Sequence, residues 1–367
     1  MANEKKYLAV GPLPPPIGGD SVSFSRLISS EILKKHGIRL HVLDTSRKDK
    51  ESQIGRRLQF ADYVNGVRFA SSAFIQLFKV EGILIWANSR FSYTIGLLLI
   101  LLYKLFNKKV ILKLFGTTFI EKYGALPTWY KSVVKFVFRK ADHLLPQTKH
   151  MCEFFLREFG GNERIVHYPN FLTSEPLQEL PNHTPGDVLR CVFVGQVKEQ
   201  KGVFDILTVL EQTDRIRCDF YGTVFEKDRQ AFMEAVERLD HAEYRGTLKP
   251  TEVVRTMQDY DILLLPTFYP GEGYPGVIIE AFFAGIPVLS TDWRSIPELV
   301  QHGHNGLIVP VASPEAIKHE LLHLLDHQET YDCLRKNAFE SARQYTEQNV
   351  LEKILVPLIR RPKTGKA

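Results

Sequence analysis

Two carboxylates stand eight positions apart in the stretch PGEGYPGVIIEAFFAGIPVLSTD, residues 270–292. Glu272 falls among Gly271, Gly273, Pro275 and Gly276, a composition that excludes regular structure. Glu280 falls in an apolar run whose pattern predicts a helix over 277–284, stopped by Gly285 and followed by a short buried strand. A carboxylate inside VIIEAFFAG is costly to desolvate and needs polar partners, and a polyol such as a ribose would supply them. Glycines before a helix let backbone N–H groups approach a phosphate. The plainer alternative leaves Glu280 in solvent and has Glu272 only favour the helix start through the macrodipole. A cation joins them: after a predicted strand at 189–194 come Gly195, Gln196, Lys198 and Lys201-Gly202, with Lys201 expected to open the next helix. A lysine at a helix start opposes the dipole, and an anionic ligand would give it a reason to be there. Near the start of the chain, a strand at 7–10 runs into a proline-stiffened loop. The loop ends in Gly18-Gly19 before a helix capped by Asp20 or Ser21, a second place where N–H groups can meet a diphosphate. It is not a GxGxxG fingerprint.

These groups need rigid elements to hold them. Short apolar runs at 39–43, 82–86, 110–114, 143–145 and 164–168 are each separated by enough chain for a helix, the pattern of a parallel doubly wound sheet. The alternation resumes with runs at 189–194, 217–221, 242–244 and 262–265. Between them, residues 171–187 carry three prolines and no apolar periodicity. The predicted organisation is an N-terminal domain over 1–170, a linker at 171–187, a second Rossmann-like domain over 188–345 and a last segment at 346–367, which the family resemblance given below implies crosses back onto the first. Ligands of such sheets bind beyond the carboxyl ends of the strands. In the first domain those ends carry Trp86 to Ser89, Phe115 to Thr118, Pro146 to Thr148 and Pro169-Asn170.

With 367 residues, the chain has room for two ordinary domains. Its four cysteines, at 152, 191, 218 and 333, are too scattered for a metal knuckle, which favours buried thiols in a reducing compartment. The opening MANEKKYLAV lacks the apolar core of a signal peptide. The longest apolar run, 93–106, is broken by Lys104 and falls short of the ~20 residues a spanning helix needs. Residues 1–170 hold 26 Lys and Arg against 13 Asp and Glu, and the remainder 21 against 29, so an anionic partner is expected for the first half. No nucleic-acid-binding motif accompanies that charge. Residues 127–140 combine Trp129, Val133, Phe136 and Val137 near one face with Lys131, Lys135, Arg139 and Lys140 away from it. Such a helix either packs on its own sheet or lies on anionic lipid.

Glu272 and Glu280 with seven intervening residues, followed by Gly285, Pro287, the PELV of 297–300 and the NGLIV of 305–309, resemble the signature of retaining family-four glycosyltransferases. That resemblance implies an α/β GT-B fold, two Rossmann-like doubly wound domains facing a central cleft. It implies a nucleotide-diphosphate sugar as co-substrate, no separate cofactor and no metal. Glu272 and Lys201 become the catalytic candidates, the first holding hydroxyls of the transferred hexose and the second steadying the leaving phosphates. Gln196 stands where the family carries an arginine, so Lys198 is the expected substitute. Glu280 would bind the ribose, the loop Gly273, Tyr274, Pro275 and Gly276 the phosphates, and Gly222 with Thr247 and Leu248 the base. Gly18, Gly19, Gly116 and Thr117 would form the acceptor or phosphate loops of the first domain, where Phe115 replaces a histidine common among relatives. The partners implied are a glycan or lipid-linked acceptor of envelope polysaccharide or glycolipid synthesis and an anionic membrane surface, met peripherally at the cytoplasmic face. A glycosidase, a nucleotide-sugar epimerase and a catalytically silent GT-B subunit are the competing readings.

Overall fold

The computed structural model describes residues 4–15, 17–46, 60–115, 118–173, 176–181 and 183–361, with 60–68 described by backbone alone. The chain divides into two compact units, Met1–Thr173 with Glu347–Ala367, and Ser174–Thr346.

The first unit is built on β1 (Lys5–Gly11), β2 (Ile38–Asp44), β3 (Gly82–Ala87), β4 (Lys109–Leu114) and β5 (His143–Pro146), all parallel in the order β2-β1-β3-β4-β5. Every residue of β3 and β4 is buried, as a parallel sheet covered on both faces requires. Alternation along β3 sends Ile83 and Ile85 to one core layer and Leu84 and Trp86 to the other. The first layer is closed by helices Ile95–Leu105, Thr128–Phe138 and Lys149–Phe159. The second is closed by helix Gly19–Ile28 and by the end of the chain, where a π-helix over Gln348–Leu355 runs into an α-helical turn at Val356–Arg360. His36 Nε2 and Glu352 Oε1, 2.7 Å apart, and a hydrogen bond from the Tyr7 hydroxyl to the Ile359 carbonyl at 3.3 Å tie that end down.

Two expectations for this unit change. Residues 164–168 run beside β5, with Leu144 N–H donating to Arg164 O and Tyr168 N–H to Pro146 O, but form only one bridge, at Ile165. Pro146 has no N–H with which to continue the ladder. The first helix is capped by Gly18 rather than by Asp20 or Ser21: Ser21 sits in the first turn and its Oγ accepts the Gly18 N–H at 3.0 Å.

The second unit contains β6 (Leu189–Val194), β7 (Ile216–Tyr221), β8 (Ala242–Tyr244), β9 (Ile262–Leu265), β10 (Val288–Thr291) and β11 (Gly306–Val309). Its parallel order, β11-β10-β9-β6-β7-β8, reverses direction between β6 and β9, which makes the ends of those two strands the switch point of a Rossmann sheet. Helix Gly276–Ala284 follows β9 and is buried on nearly every side, so it shows no amphipathic stripe. Gly285 ends it at φ +73°, in the left-handed region. Of the stretch read as a linker, Phe171 packs in the core of the first unit, while Pro181 and His183 are held on the second: Arg335 donates to Pro181 O at 2.7 Å and His183 Nε2 meets the buried Asp261 at 2.5 Å. The NGLIV motif is architectural. Asn305 is buried, donates to Leu299 O at 3.0 Å and accepts Gln301 N–H at 2.8 Å, while a Cβ on Gly306 would lie 2.2 Å from the Val288 carbonyl.

Candidate active site

At the switch point the loops after β6 and β9 interlock. Phe268 N–H donates to Gln200 O at 2.9 Å, and a Cβ on Gly202, at φ +75°, would collide with Pro266 O at 2.2 Å. Only glycine fits where the two loops meet. The consequence is geometric: Lys201 and Glu272, 71 positions apart, form an ion pair through Nζ and Oε2. Thr267 Oγ1 lies 2.8 Å from the same carboxylate oxygen and accepts the Tyr269 N–H at 3.1 Å. Glu272 is 6% exposed. At that burial its charge needs the lysine and the hydroxyl together.

Lys201 does not open a helix as expected. It closes a 3₁₀ turn over Glu199–Lys201, and helix Val203–Leu210 starts after Gly202. The left-handed glycine separates the two, so the lysine lies outside the dipole it was expected to oppose. Lys198, at the other end of the turn, rests its ammonium 3.2 Å from the centre of the Tyr269 ring. Burial, followed by repulsion from Lys201, brings its pKa down to about 8. Gln196 is exposed.

The loop before helix Gly276–Ala284 is held by groups that sequence reading had passed over. Trp293 Nε1 donates to Tyr269 O at 2.8 Å, Ser295 Oγ to Gly273 O at 2.9 Å, and Thr291 Oγ1 to Thr267 O. All three follow or end β10, the strand beside β9, and that neighbourhood is the only hint the sequence offered. Pro275 caps the helix and Gly276 begins it. Tyr274 turns its ring inward, with its hydroxyl 3.1 Å from that of Tyr345. It therefore has its backbone, not its phenol, to offer a ligand. Glu280 is 9% exposed inside the helix, so the alternative that leaves it in solvent fails.

Gly222 has a structural duty: at φ +141° a Cβ would lie 1.7 Å from Gly195 O, and its N–H donates to Gly246 O at 2.7 Å. Thr247 is exposed and Leu248 half-buried in the loop that follows. In the first unit, Gly18 caps its helix and Gly19 has open space where a Cβ would stand. Phe115 is buried in the core, while Gly116 and Thr117 lie outside the described residues.

A lysine–carboxylate pair that a phosphate can break, its carboxylate in the loop that leads into a helix and its lysine near a second cation, suits an anionic leaving group. Residues 180–341 match the family model described as glycosyl transferases group 1. A putative colanic acid biosynthesis glycosyltransferase, WcaL, of Salmonella typhimurium is 28% identical over 186 residues, 48% of this chain and 46% of that protein. The chain thus spans about half the length of this relative. The whole chain has the GT-B fold. It superposes on Anabaena HepE, solved with UDP, at a TM-score of 0.70 with 13% identity, covering 96% of this chain and 99% of that one. HepE was also solved with UDP-glucose. WaaG, a glycosyltransferase involved in lipopolysaccharide biosynthesis, superposes at 0.65 with 14% identity over 97% of this chain and all of its own.

Proposed function

We propose that the protein transfers a sugar, with retention and without a metal, from a nucleotide-diphosphate sugar to a lipid-linked glycan acceptor of envelope polysaccharide or glycolipid synthesis. The observation that carries the reading is the Lys201–Glu272 pair at the switch point, beside Lys198 and the loop Gly273–Gly276. The arriving diphosphate takes Lys201 from Glu272. The freed carboxylate then turns to hydroxyls of the hexose, next to the centre that becomes oxocarbenium-like. Negative charge grows on the leaving phosphate as the glycosidic bond breaks, and Lys201, Lys198 and loop N–H groups stabilise it more strongly there than in the ground state. Glu280 holds the ribose hydroxyls. HepE being solved with UDP and UDP-glucose makes uridine the first nucleotide to try.

Attachment to lipid is taken to be peripheral, at the cytoplasmic face. No described helix is long and apolar enough to cross a membrane. A silent binding subunit is the second reading, favoured by the exposed Gln196 and the buried Phe115. A nucleotide-sugar panel read by thermal shift tests the donor site, since a ligand at about 100 times its Kd stabilises the folded state by ~2.7 kcal/mol. Transfer to a polyprenyl-diphosphate glycan with the donor's anomeric configuration is the expected product. Stabilisation without turnover would leave the silent subunit, and donor consumed without an acceptor would point to a hydrolase or epimerase.

A further inference from the structure

We infer that the first unit inserts an apolar face made by three neighbouring helices into an anionic lipid bilayer. This deepens the lipid-facing part of the proposed function and rests on it. Helices Phe60–Leu77, Ile95–Leu105 and Thr128–Phe138 cover the same face of the sheet, since Leu77, Ile100 and Val134 share one core layer. Tyr103 OH donates to Ala73 O at 3.0 Å, and Tyr130 OH donates to the Tyr93 carbonyl just before the second helix, so the three are fastened side by side.

Their outer surfaces are apolar where a solvated surface would be polar. Leu98 is 68% exposed, Leu105 80% and Trp129 69%, with Phe136 and Phe78 also largely exposed. Phe78 and Phe106 meet edge to face at 5.6 Å and join the ends of the first two helices. The expected inward face of Thr128–Phe138 is corrected here: Val134, Val137 and Phe138 pack inward, while Trp129, Val133 and Phe136 point out. Single exposed leucines are ordinary, but Phe74 and Ile75 near the end of the first helix, Leu98 and Leu105 on the second and Trp129 and Phe136 on the third together mark an interaction surface.

Charge selects the occupant. Residues 69–140 hold eleven Lys and Arg against two Asp and Glu, and with Lys109 and Lys113 buried in β4 nine of the eleven remain to face solvent, so the segment that carries this face is basic. Two copies meeting through it would set like charges against like, whereas anionic headgroups complement them. Several of the cations are already engaged: Lys135 with Glu158 at 3.2 Å, Lys131 with Gly124 O at 2.6 Å and Arg139 with Phe159 O at 3.1 Å. Lys140 lies 4.9 Å from the Phe136 ring, which places a cation beside an inserting aromatic. Attachment is therefore carried by apolar insertion, with the basic residues orienting it, and not by charge alone.

Vesicles of phosphatidylglycerol and phosphatidylethanolamine test this with the full chain. Of the three tryptophans, Trp86 is buried and Trp293 half-buried, so a blue shift and quenching by brominated lipid report Trp129. Flotation is expected to persist at about 1 M salt, where the Debye length is ~3 Å. The triple variant Leu98→Ser, Leu105→Ser, Phe136→Ser is expected to lower partitioning by roughly tenfold or more, as lost apolar insertion dictates, while UDP binding by thermal shift stays unchanged. Replacing Lys131, Lys135, Arg139 and Lys140 by Gln should cost less than the triple variant does. Binding that salt abolishes, and that the triple variant retains, would overturn insertion in favour of electrostatic adhesion. Self-association without lipid that the triple variant removes, with no vesicle binding, would assign the face to a second copy. Vesicle binding that holds while no nucleotide sugar binds would sink the donor reading and leave this one standing.

Discussion

Lys113 and Lys201 are both withdrawn from water near the carboxyl end of a strand, yet their surroundings are opposite. Lys113, on β4, is fully buried with its ammonium 4.6 Å from the Tyr168 ring, 5.0 Å from Phe115 and 5.7 Å from Trp86. Among the described residues its Nζ has no hydrogen-bond partner, nor do Trp86 Nε1 and the Tyr168 hydroxyl. Burial brings its pKa down to about 7. Lys201 has a carboxylate in contact and keeps an edge toward solvent. Ring faces soften the desolvation of an ammonium without cancelling it, whereas a carboxylate compensates its charge and can be exchanged for another anion. Lys113 therefore bears on stability, and Lys201 is the lysine to which the proposed function gives a ligand.

The largest expected effect tests the second half of that contrast. Lys201→Ala should lower kcat by a factor of about 10² or more, some 2.7–4 kcal/mol of transition-state stabilisation if it behaves like a lost oxyanion donor. It should also destabilise the fold, because Glu272 would stay buried without its cation. Glu272→Ala should likewise reduce turnover more than donor affinity. Steady-state kinetics on a donor found by the thermal-shift panel check both, and wild-type kcat in Lys201→Ala would remove this lysine from the site.

Lys113→Met tests the first half, and its sign is the reverse. The folded pKa of about 7 lies below the ordinary lysine value of 10.5. Between those values the unfolded chain binds a proton that the folded chain does not, so stability rises with pH across that window. Below pH 7 the whole burial cost is present, on the order of 5 kcal/mol from the shift, less what the three rings return. The methionine variant should be more stable at pH 6 by about 2 kcal/mol and should lose the rise between pH 7 and 10.5. Denaturant titrations at pH 6 and 9.5 would reveal it. An unchanged pH slope would mean that water reaches Lys113.

Such a lysine was not legible in the sequence, and the reason is physical. KVILKL reads as a strand because four of its six residues are apolar, but nothing local says that both lysines are covered. The strands and the glycine-bounded helix were legible because apolar runs and left-handed glycines are local signals, as at β3 and Gly285. Glu272, Glu280 and Lys201 stood out through residue type, spacing and the family resemblance. Thr267, Tyr269, Trp293 and Ser295 did not, because their role is to hold loops from neighbouring strands together. The helix Thr128–Phe138 shows the limit of periodicity: it carries an apolar stripe on each side, and only the packed sheet decides which one is buried.

Glu280 sharpens the comparison by adding a buried charge that the proposed function assigns to the ribose. Glu280→Ala should raise KM for the donor about 10-fold or more, in line with the ~1.5–3 kcal/mol of a hydrogen bond to a charged group, and leave kcat nearly as it was. A fall in kcat at constant KM would move this carboxylate to the reacting sugar.

The smallest effect is expected at Gln196, where a third cation can be added to the pair. Lys198 loses its proton near pH 8, so the attraction it lends a diphosphate is full below that pH and fades as pH rises through it. An arginine stays charged across the whole range. Gln196→Arg should therefore tighten UDP binding slightly at pH 7, by no more than ~1 kcal/mol because the position is exposed and screened. At pH 9 the variant should keep its affinity while the wild type weakens, so the gap between them should widen. Calorimetric titration of UDP at the two pH values measures that gap directly. A variant that binds more weakly than wild type at both would show that Gln196 does not face the phosphates, and Lys198 would then lose its role as the substitute cation.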